Sequence, residues 1–237
     1  MQEFLTQAQE FFKDLPGFLD AFIRNHGVWV YALLFAIIFV ETGLVIMPFL
    51  PGDSLLFTVG ALAARGSMDE WGGVWAISGL LVVAGVLGDS VNYHLGKVIG
   101  PRVFRGESNV GFIGRALNKQ HLDRAHAFFE KYGGKAVILG RFVPIVRTFV
   151  PFVAGAGAMT YSKFFAYNVL GAVLWIGVCT GAGYFFGNIE WVKRNFEAVV
   201  IGIIVVSVLP IAIEFVIEKR RRKAAALAAG TVSTQKE

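Results

Sequence analysis

The sequence is poor in charge and almost free of cysteine. Only 16% of its 237 residues are charged, whereas a soluble protein carries roughly a quarter. The single cysteine, Cys179, stands in an apolar run, so no internal disulfide can form and a structural zinc site would lack soft ligands. The chain also lacks the HExxH, GxSxG and P-loop motifs. We therefore expect neither an enzyme active site nor a metal or cofactor.

Long apolar runs dominate the sequence instead. Hydrophobic residues make up 55% of the chain, and runs of about 20 apolar residues are long enough to cross a bilayer core. The net charge of +5 arises from lysines and arginines in the loops beside these runs, a pattern typical of membrane topology rather than of nucleic-acid binding. The sequence predicts an all-α polytopic membrane protein with no nucleic-acid partner.

Two apolar runs, at 39–53 and 140–151, contain charged residues and prolines. Charge is costly in hydrocarbon, and proline frees backbone groups that lipid cannot satisfy. Each run therefore predicts a re-entrant helical hairpin that is broken at proline; for the first run, a full span at 28–47 followed by a short helix stays open. The residues concerned are Glu41, Pro48, Pro51, Gly52 and Asp53 in the first run, and Arg141, Pro144 and Arg147 in the second.

The other segments follow from apolar length and helical periodicity. A membrane domain is expected at 25–218. The remaining predictions are an N-terminal amphipathic helix at 1–24, full spans at 74–95, 164–187 and 196–217, a second amphipathic helix at 119–132 that stops at Gly133-Gly134, and a basic, disordered tail at 219–237.

The two halves of the chain follow one plan. Each has an amphipathic helix, a proline-broken segment and a glycine-rich full span, so we expect repeats at about 25–96 and 119–187. Glu41 and Arg141 stand at matching places, and Asn92-Tyr93 weakly echoes Tyr167-Asn168. Inverted repeats whose broken helices meet near the middle of the membrane are a plan used by many secondary transporters.

The basic loops predict the orientation of the chain. The cluster of lysine and arginine at 219–223 indicates a cytoplasmic C-terminus. Counting back through the full spans leaves the basic loop at 97–135 inside and the short turn at 65–73 outside. The side of the N-terminal helix and the oligomeric state stay open, and a homo-oligomer is one option.

Glu41 and Asp53 are the acids of the first broken segment. Apolar surroundings favour the neutral form of an acid, so Glu41 is a candidate proton carrier, with a structural ion pair as the alternative. Asp53 follows Pro51-Gly52 and fits a helix cap as well as proton coupling. We expect both acids to face Arg141 and Arg147.

Arg141 and Arg147 flank Pro144, and two guanidiniums at membrane depth require carboxylates, phosphate or both. They either lock the two hairpins together or hold an anionic lipid headgroup. Asp89 and Tyr93 are secondary candidates: they lie four positions apart on one helix face, close enough to share a hydrogen bond or to line a polar path, although an interfacial tyrosine beside a solvated aspartate fits equally well.

The combined motifs closely resemble the DedA family of bacterial inner-membrane proteins, over roughly residues 20 to 215. That family shares a domain with eukaryotic lipid scramblases. The residues that carry the resemblance are Phe39-x-Glu41, Pro48-x-x-Pro51-Gly52-Asp53, Gly88-Asp89-x-x-x-Tyr93-x-x-Gly96, Gly140-Arg141-Phe142-x-Pro144-x-x-Arg147-Thr148 and Ala154-Gly155-x-x-x-Met159.

The resemblance implies a location in the bacterial inner membrane and a role in moving undecaprenyl phosphate or a related phospholipid. It also implies a link to proton-dependent envelope homeostasis. The family's functional acids match Glu41 and Asp53, and its functional arginines match Arg141 and Arg147. Pro48, Pro51, Gly52 and Pro144 would help to shape the lipid site.

Three functions remain open at this point. The first is a lipid-phosphate translocase, a flippase that Glu41 and Asp53 couple to protons. The second is a proton- or cation-coupled transporter of a small solute, in which lipid is incidental. The third is an envelope scaffold, in which the buried charges serve only as a lock.

Overall fold

The structure is a computed structural model that describes residues 15–44, 52–66, 68–69, 72–104, 119–195, 198–199 and 202–203. Every regular element in these ranges is helical, as an all-α membrane protein requires. The helices are α1 (Leu15–His26), α2 (Trp29–Gly43), α3 (Gly52–Ala64), α4 (Gly73–Phe104), α5 (Lys119–Tyr132), α6 (Lys135–Gly140), α7 (Pro144–Val153) with a π-helical end at Ala154–Ala158, α8 (Tyr161–Phe186) and α9 (Glu190–Arg194).

Several predictions concern residues outside the described ranges. These are the first part of the amphipathic helix at 1–14, the prolines Pro48 and Pro51, most of the last span at 196–217, and the tail at 219–237.

Two helices are long and apolar enough to cross a membrane. They are α4, from Gly73 to Pro101, and α8, from Tyr161 to Phe186, so a helix of sufficient length and hydropathy lies at each full span predicted within the described part of the chain. The helices run in opposite directions, because the start of α4 meets the end of α8: Ser78 contacts Thr180, and Asn168 donates to the Val86 carbonyl further along.

The first broken segment forms two short helices, α2 and α3. At 1.5 Å per residue, the 15 residues of α2 extend for about 22 Å and the 13 residues of α3 for about 20 Å. Both are shorter than a hydrocarbon core of about 30 Å. Since α2 ends at Gly43 and Leu44 is extended, a continuous helix over 28–47 does not form.

The second broken segment is interrupted where proline predicts it. The helix α6 ends at Gly140, Val143 has an extended backbone, and Pro144 begins α7. The residue before a proline avoids helical geometry, and proline itself is well tolerated at the first helical position. The glycine stop of α5 is also confirmed, because Gly133 has a φ of 56°, which an L side chain rarely adopts.

The second arm of each broken segment packs along the full span of the other half of the chain. In one case α3 runs parallel to α8, with Phe57 beside Gly183 and Ala61 beside Gly187. Added Cβ atoms at these two glycines would meet backbone atoms of α3, so glycine permits the close approach.

The matching contact joins the second arm of the other broken segment to α4. There α7 and its π-helical end run parallel to α4, with Phe152 beside Gly96 and Ala156 beside Gly100. The first arms behave alike as well, since α2 packs along α4 and α6 packs along α8. The breaks of both segments are thereby brought to the same region of the fold.

Candidate functional site

Arg147 of α7 joins both sides of the first break. Its Nη2 donates to Glu41 Oε1 near the end of α2, and its Nη1 donates to Asp53 Oδ1 in the first turn of α3 at 3.1 Å. Glu41 is only 1% exposed, whereas the side chain of Asp53 is 25% exposed. One guanidinium therefore bridges a fully buried carboxylate and a more accessible one.

Arg141 has a different partner from the one expected. Its Nη2 donates to Asp89 Oδ2 and to Asn168 Oδ1, both at 2.5 Å, and all three residues are buried. The expected pairing of Arg141 with Glu41 and Asp53 does not form, although Arg141 lines one cavity with Glu41 and another with Asp53. Arg141 follows α6, and its partners lie on α4 and α8. Arg147 lies beyond the break on α7, and its partners lie on α2 and α3.

Asp89 and Tyr93 do not bond to each other. Asp89 is the counterion of Arg141, while the Tyr93 hydroxyl donates to the Met159 carbonyl at 2.8 Å. The Tyr93 ring stacks on Phe164 with 4.6 Å between centroids. Asp89 thus belongs to the charged site. Tyr93 instead links α4 by a hydrogen bond to Met159, the residue after the π-helical segment.

Two buried asparagines make further polar contacts in this region. Asn92 of α4 donates to the Thr148 carbonyl of α7 at 2.8 Å, and Asn168 of α8 donates to the Val86 carbonyl of α4 at 3.1 Å. Sequence reasoning noticed these asparagines only as an echo between the repeats. Each satisfies a backbone group or a charge in the interior, where an unpaired polar group costs about 1–3 kcal/mol.

Trp175 is a site residue that sequence reasoning missed. Its Nε1–H donates to Asp53 Oδ1 at 2.8 Å, and its ring lies 5.8 Å from Arg141 Cζ and 5.7 Å from Arg147 Cζ. The residue is 3% exposed. A tryptophan within a full span gives no sequence signal that separates an inward position from a lipid-facing one, because apolar residues occupy both.

The predicted proline and glycine positions shape the breaks. Gly52 begins α3 directly against the Glu41 carboxylate, and an added Cβ there would collide with it. Pro144 begins α7 three residues before Arg147. Pro48 and Pro51 lie outside the described residues, so their predicted contribution to the site stays a prediction.

The charges of the site do not balance. Three carboxylates, from Glu41, Asp53 and Asp89, face the two guanidiniums of Arg141 and Arg147. With every group ionised, these five side chains carry one net negative charge. Uptake of one proton makes the group neutral, and uptake of a second makes it cationic.

Two cavities meet at this site. The smaller one, about 10 Å³, has room for about one water molecule and contacts Glu41, Asp89 and both arginines. The larger one, about 450 Å³, has a polar end and an apolar wall. The polar end consists of Asp53, Arg141, Arg147 and Trp175, and the wall consists of Phe142, Val178, Cys179, Val199, Gly202 and Ile203.

Comparison with known proteins places the chain in a family. The VTT domain matches residues 50–185. The chain is 48% identical to Protein DedA of Escherichia coli strain K12, over 93% of this chain and 96% of that protein. It is 43% identical to an uncharacterized membrane protein of Mycobacterium leprae strain TN, over 83% and 86% of the two chains.

A further relative is the inner membrane protein YghB of Escherichia coli strain K12, which is 35% identical over 78% of each chain. No solved structure matches this chain. The identities extend over most of each relative, and the VTT match includes every residue of the charged site except Glu41. The chain therefore belongs to the DedA family of membrane proteins, which is built on the VTT domain.

Proposed function

We propose that this protein translocates a lipid phosphate across the bacterial inner membrane, and that protonation of its acids accompanies the transfer. The observation that carries the proposal is the amphipathic cavity of about 450 Å³, with two guanidiniums at one end and apolar side chains along its wall. A relative named as an inner membrane protein supports the location. The motifs shared with the DedA family favour undecaprenyl phosphate as the substrate.

The cavity fits an amphiphile better than a hydrated solute. Phe142 is 49% exposed and Val178 is 57% exposed, so in a bilayer the apolar wall opens towards lipid. Arginine binds phosphate through paired N–H groups. A phosphate on an apolar chain uses both ends of the cavity, whereas the wall adds nothing to the binding of a small ion or a polar solute.

The charge balance supports coupling to protons. A site that carries one net negative charge repels a phosphate, and proton uptake at Glu41 or Asp53 removes that repulsion. The proton also releases Arg147 from the carboxylate that receives it. The Arg147 N–H groups then turn to phosphate oxygens, and the carboxylate recovers Arg147 when the phosphate and the proton leave.

Arg141 and Arg147 have different roles in the proposed transport cycle. Arg141 keeps Asp89 and Asn168 as partners and lines the cavity as a fixed cation. Arg147 holds two carboxylates that belong to different helices. Arg147 is therefore the guanidinium that exchanges its partners.

The helix packing supports two re-entrant hairpins related as inverted repeats. The full spans α4 and α8 are antiparallel, and each is lined by the first arm of its own segment and the second arm of the other. We further propose that the C-terminus is cytoplasmic and the turn at Asp69 external. A cysteine at Asp69 in a Cys179→Ser background should then react with an impermeant reagent applied from outside.

Reconstituted vesicles test the function directly. Labelled undecaprenyl phosphate is followed from one leaflet to the other, with and without a pH gradient, while a pH-sensitive dye reports proton flux. We expect lipid transfer that depends on the gradient and proton flux that depends on the lipid. Proton flux without lipid would indicate a small-ion transporter, and no flux of either kind would favour the scaffold.

A further inference from the structure

We propose that Trp175 is a positioning residue of this site, which holds the Asp53 carboxylate where Arg147 returns to it in each transport cycle. The inference rests on the proposed function and assigns a role to a residue beyond the acids and arginines. It starts from one contact, the hydrogen bond from the indole Nε1–H to Asp53 Oδ1 at 2.8 Å.

Asp53 is the acid that needs such support. Its side chain is 25% exposed and lines the large cavity, whereas Glu41 is 1% exposed and lies against Gly52. When Arg147 turns to a phosphate, Asp53 loses its guanidinium, whereas the Trp175 N–H still donates to Asp53 Oδ1. An indole N–H donates and cannot accept, so it retains the carboxylate in place without adding a charge.

The Trp175 ring also contacts both guanidiniums. Its centroid lies 5.8 Å from Arg141 Cζ and 5.7 Å from Arg147 Cζ, within the range of about 6 Å for cation–π attraction. Among the described residues, Arg141, Arg147 and Trp175 are the three that line both cavities. Trp175 therefore stands where the acid, both arginines and the space for a ligand meet.

The role predicts an effect on turnover rather than on binding. Trp175 contributes no charge to the phosphate, so its loss should leave the half-saturating lipid concentration nearly unchanged. It should slow the step in which Arg147 re-forms its contact with Asp53. Trp175→Phe keeps a ring and removes the N–H, and we expect the maximal rate to fall by about tenfold, the effect of one hydrogen bond to a charged group.

A matched control is available in Trp75. This residue lies at the start of α4 and is 86% exposed, so Trp75→Phe should translocate lipid at the wild-type rate. If Trp175→Phe keeps the wild-type maximal rate, or changes mainly the half-saturating concentration, the proposal is overturned.

A double-mutant cycle tests the contact without relying on transport. Unfolding in denaturant is measured for the wild type, Trp175→Phe, Asp53→Ala and the double variant, so that the cost of the smaller ring cancels. A stabilising coupling between the two sites, which lowers the equilibrium constant for unfolding of the intact pair about tenfold or more, supports the assignment, and no coupling overturns it. If the wild type moves no lipid while the coupling is present, the proposed function fails and the contact stands.

Discussion

Glu41 and Arg147 form an ion pair across 106 positions of the chain. The pair joins the end of α2 to α7, so each broken segment supplies one charge of the pair. An unpaired charge at this depth would be costly, and the pair explains why both segments keep a charged residue in an apolar run. It also gives the proposed proton carrier a partner that it can release.

Replacement of Glu41 by glutamine should abolish gradient-dependent transfer of lipid phosphate. An amide has the shape of the acid but cannot take up or release a proton, so Arg147 loses the switch that frees it. We expect a rate below about a hundredth of wild type in vesicles, the lower end of the effect that a positioned proton-transfer group contributes. The protein should still fold, because Arg147 keeps Asp53.

Glu190→Gln is the control for this variant. Glu190 pairs with Arg194 on α9, where both side chains are more than 70% exposed, and an exposed pair contributes little to stability. Its transfer rate should equal that of the wild type. Loss of transfer in Glu190→Gln, or normal transfer in Glu41→Gln, would contradict the assignment.

The fixed pair Asp89–Arg141 should matter for stability. Asp89→Asn leaves Arg141 buried without a carboxylate, which costs on the order of 3–5 kcal/mol. We expect a clear decrease in the melting temperature in detergent. The double variant Asp89→Leu/Arg141→Met removes both charges and should recover much of the loss, but it should not translocate lipid phosphate. Full stability of Asp89→Asn would argue against the pair.

The close approach of α3 and α8 can be tested with two glycines of one helix. Gly183→Ala places a methyl group against the Phe57 carbonyl, whereas nothing lies within 4 Å of a Cβ at Gly181. We expect Gly183→Ala to lower the free energy of unfolding by about 1–3 kcal/mol through overpacking. Gly181→Ala should be neutral or slightly stabilising, because alanine favours helix. Equal effects of the two variants would contradict the packing.

The single native cysteine reports on occupancy of the large cavity. Cys179 lines this cavity together with Arg147 and Trp175, so a bound lipid phosphate should protect it from a thiol reagent. The same lipid alcohol without its phosphate is the control and should protect it less, because the guanidiniums have no anion to bind. The labelling rate is measured by mass spectrometry over a range of lipid concentrations. Equal protection by the two lipids would contradict the assignment of the arginines to the binding site.

Much of the architecture follows from the sequence. Apolar length predicts the full spans α4 and α8, the proline rule predicts the start of α7, and a glycine ends α5. These features depend on local chemistry, since bilayer thickness fixes the length of a span and proline disfavours helix in the residue before it. The acids and arginines were also identifiable, because charge in an apolar run is rare.

Only the tertiary structure decided which charges pair. Arg141 bonds to Asp89 rather than to the acids of the first segment, and Trp175 joins the site from an apolar position. Both outcomes depend on how α8 is rotated and on which neighbour each arm of the second broken segment packs against. The rotation and packing of these helices are set by close contacts such as Gly183 with Phe57 and Gly96 with Phe152. These contacts join residues that are far apart in the chain. Local sequence chemistry therefore specified the helices and their charged residues, and long-range packing specified their partners.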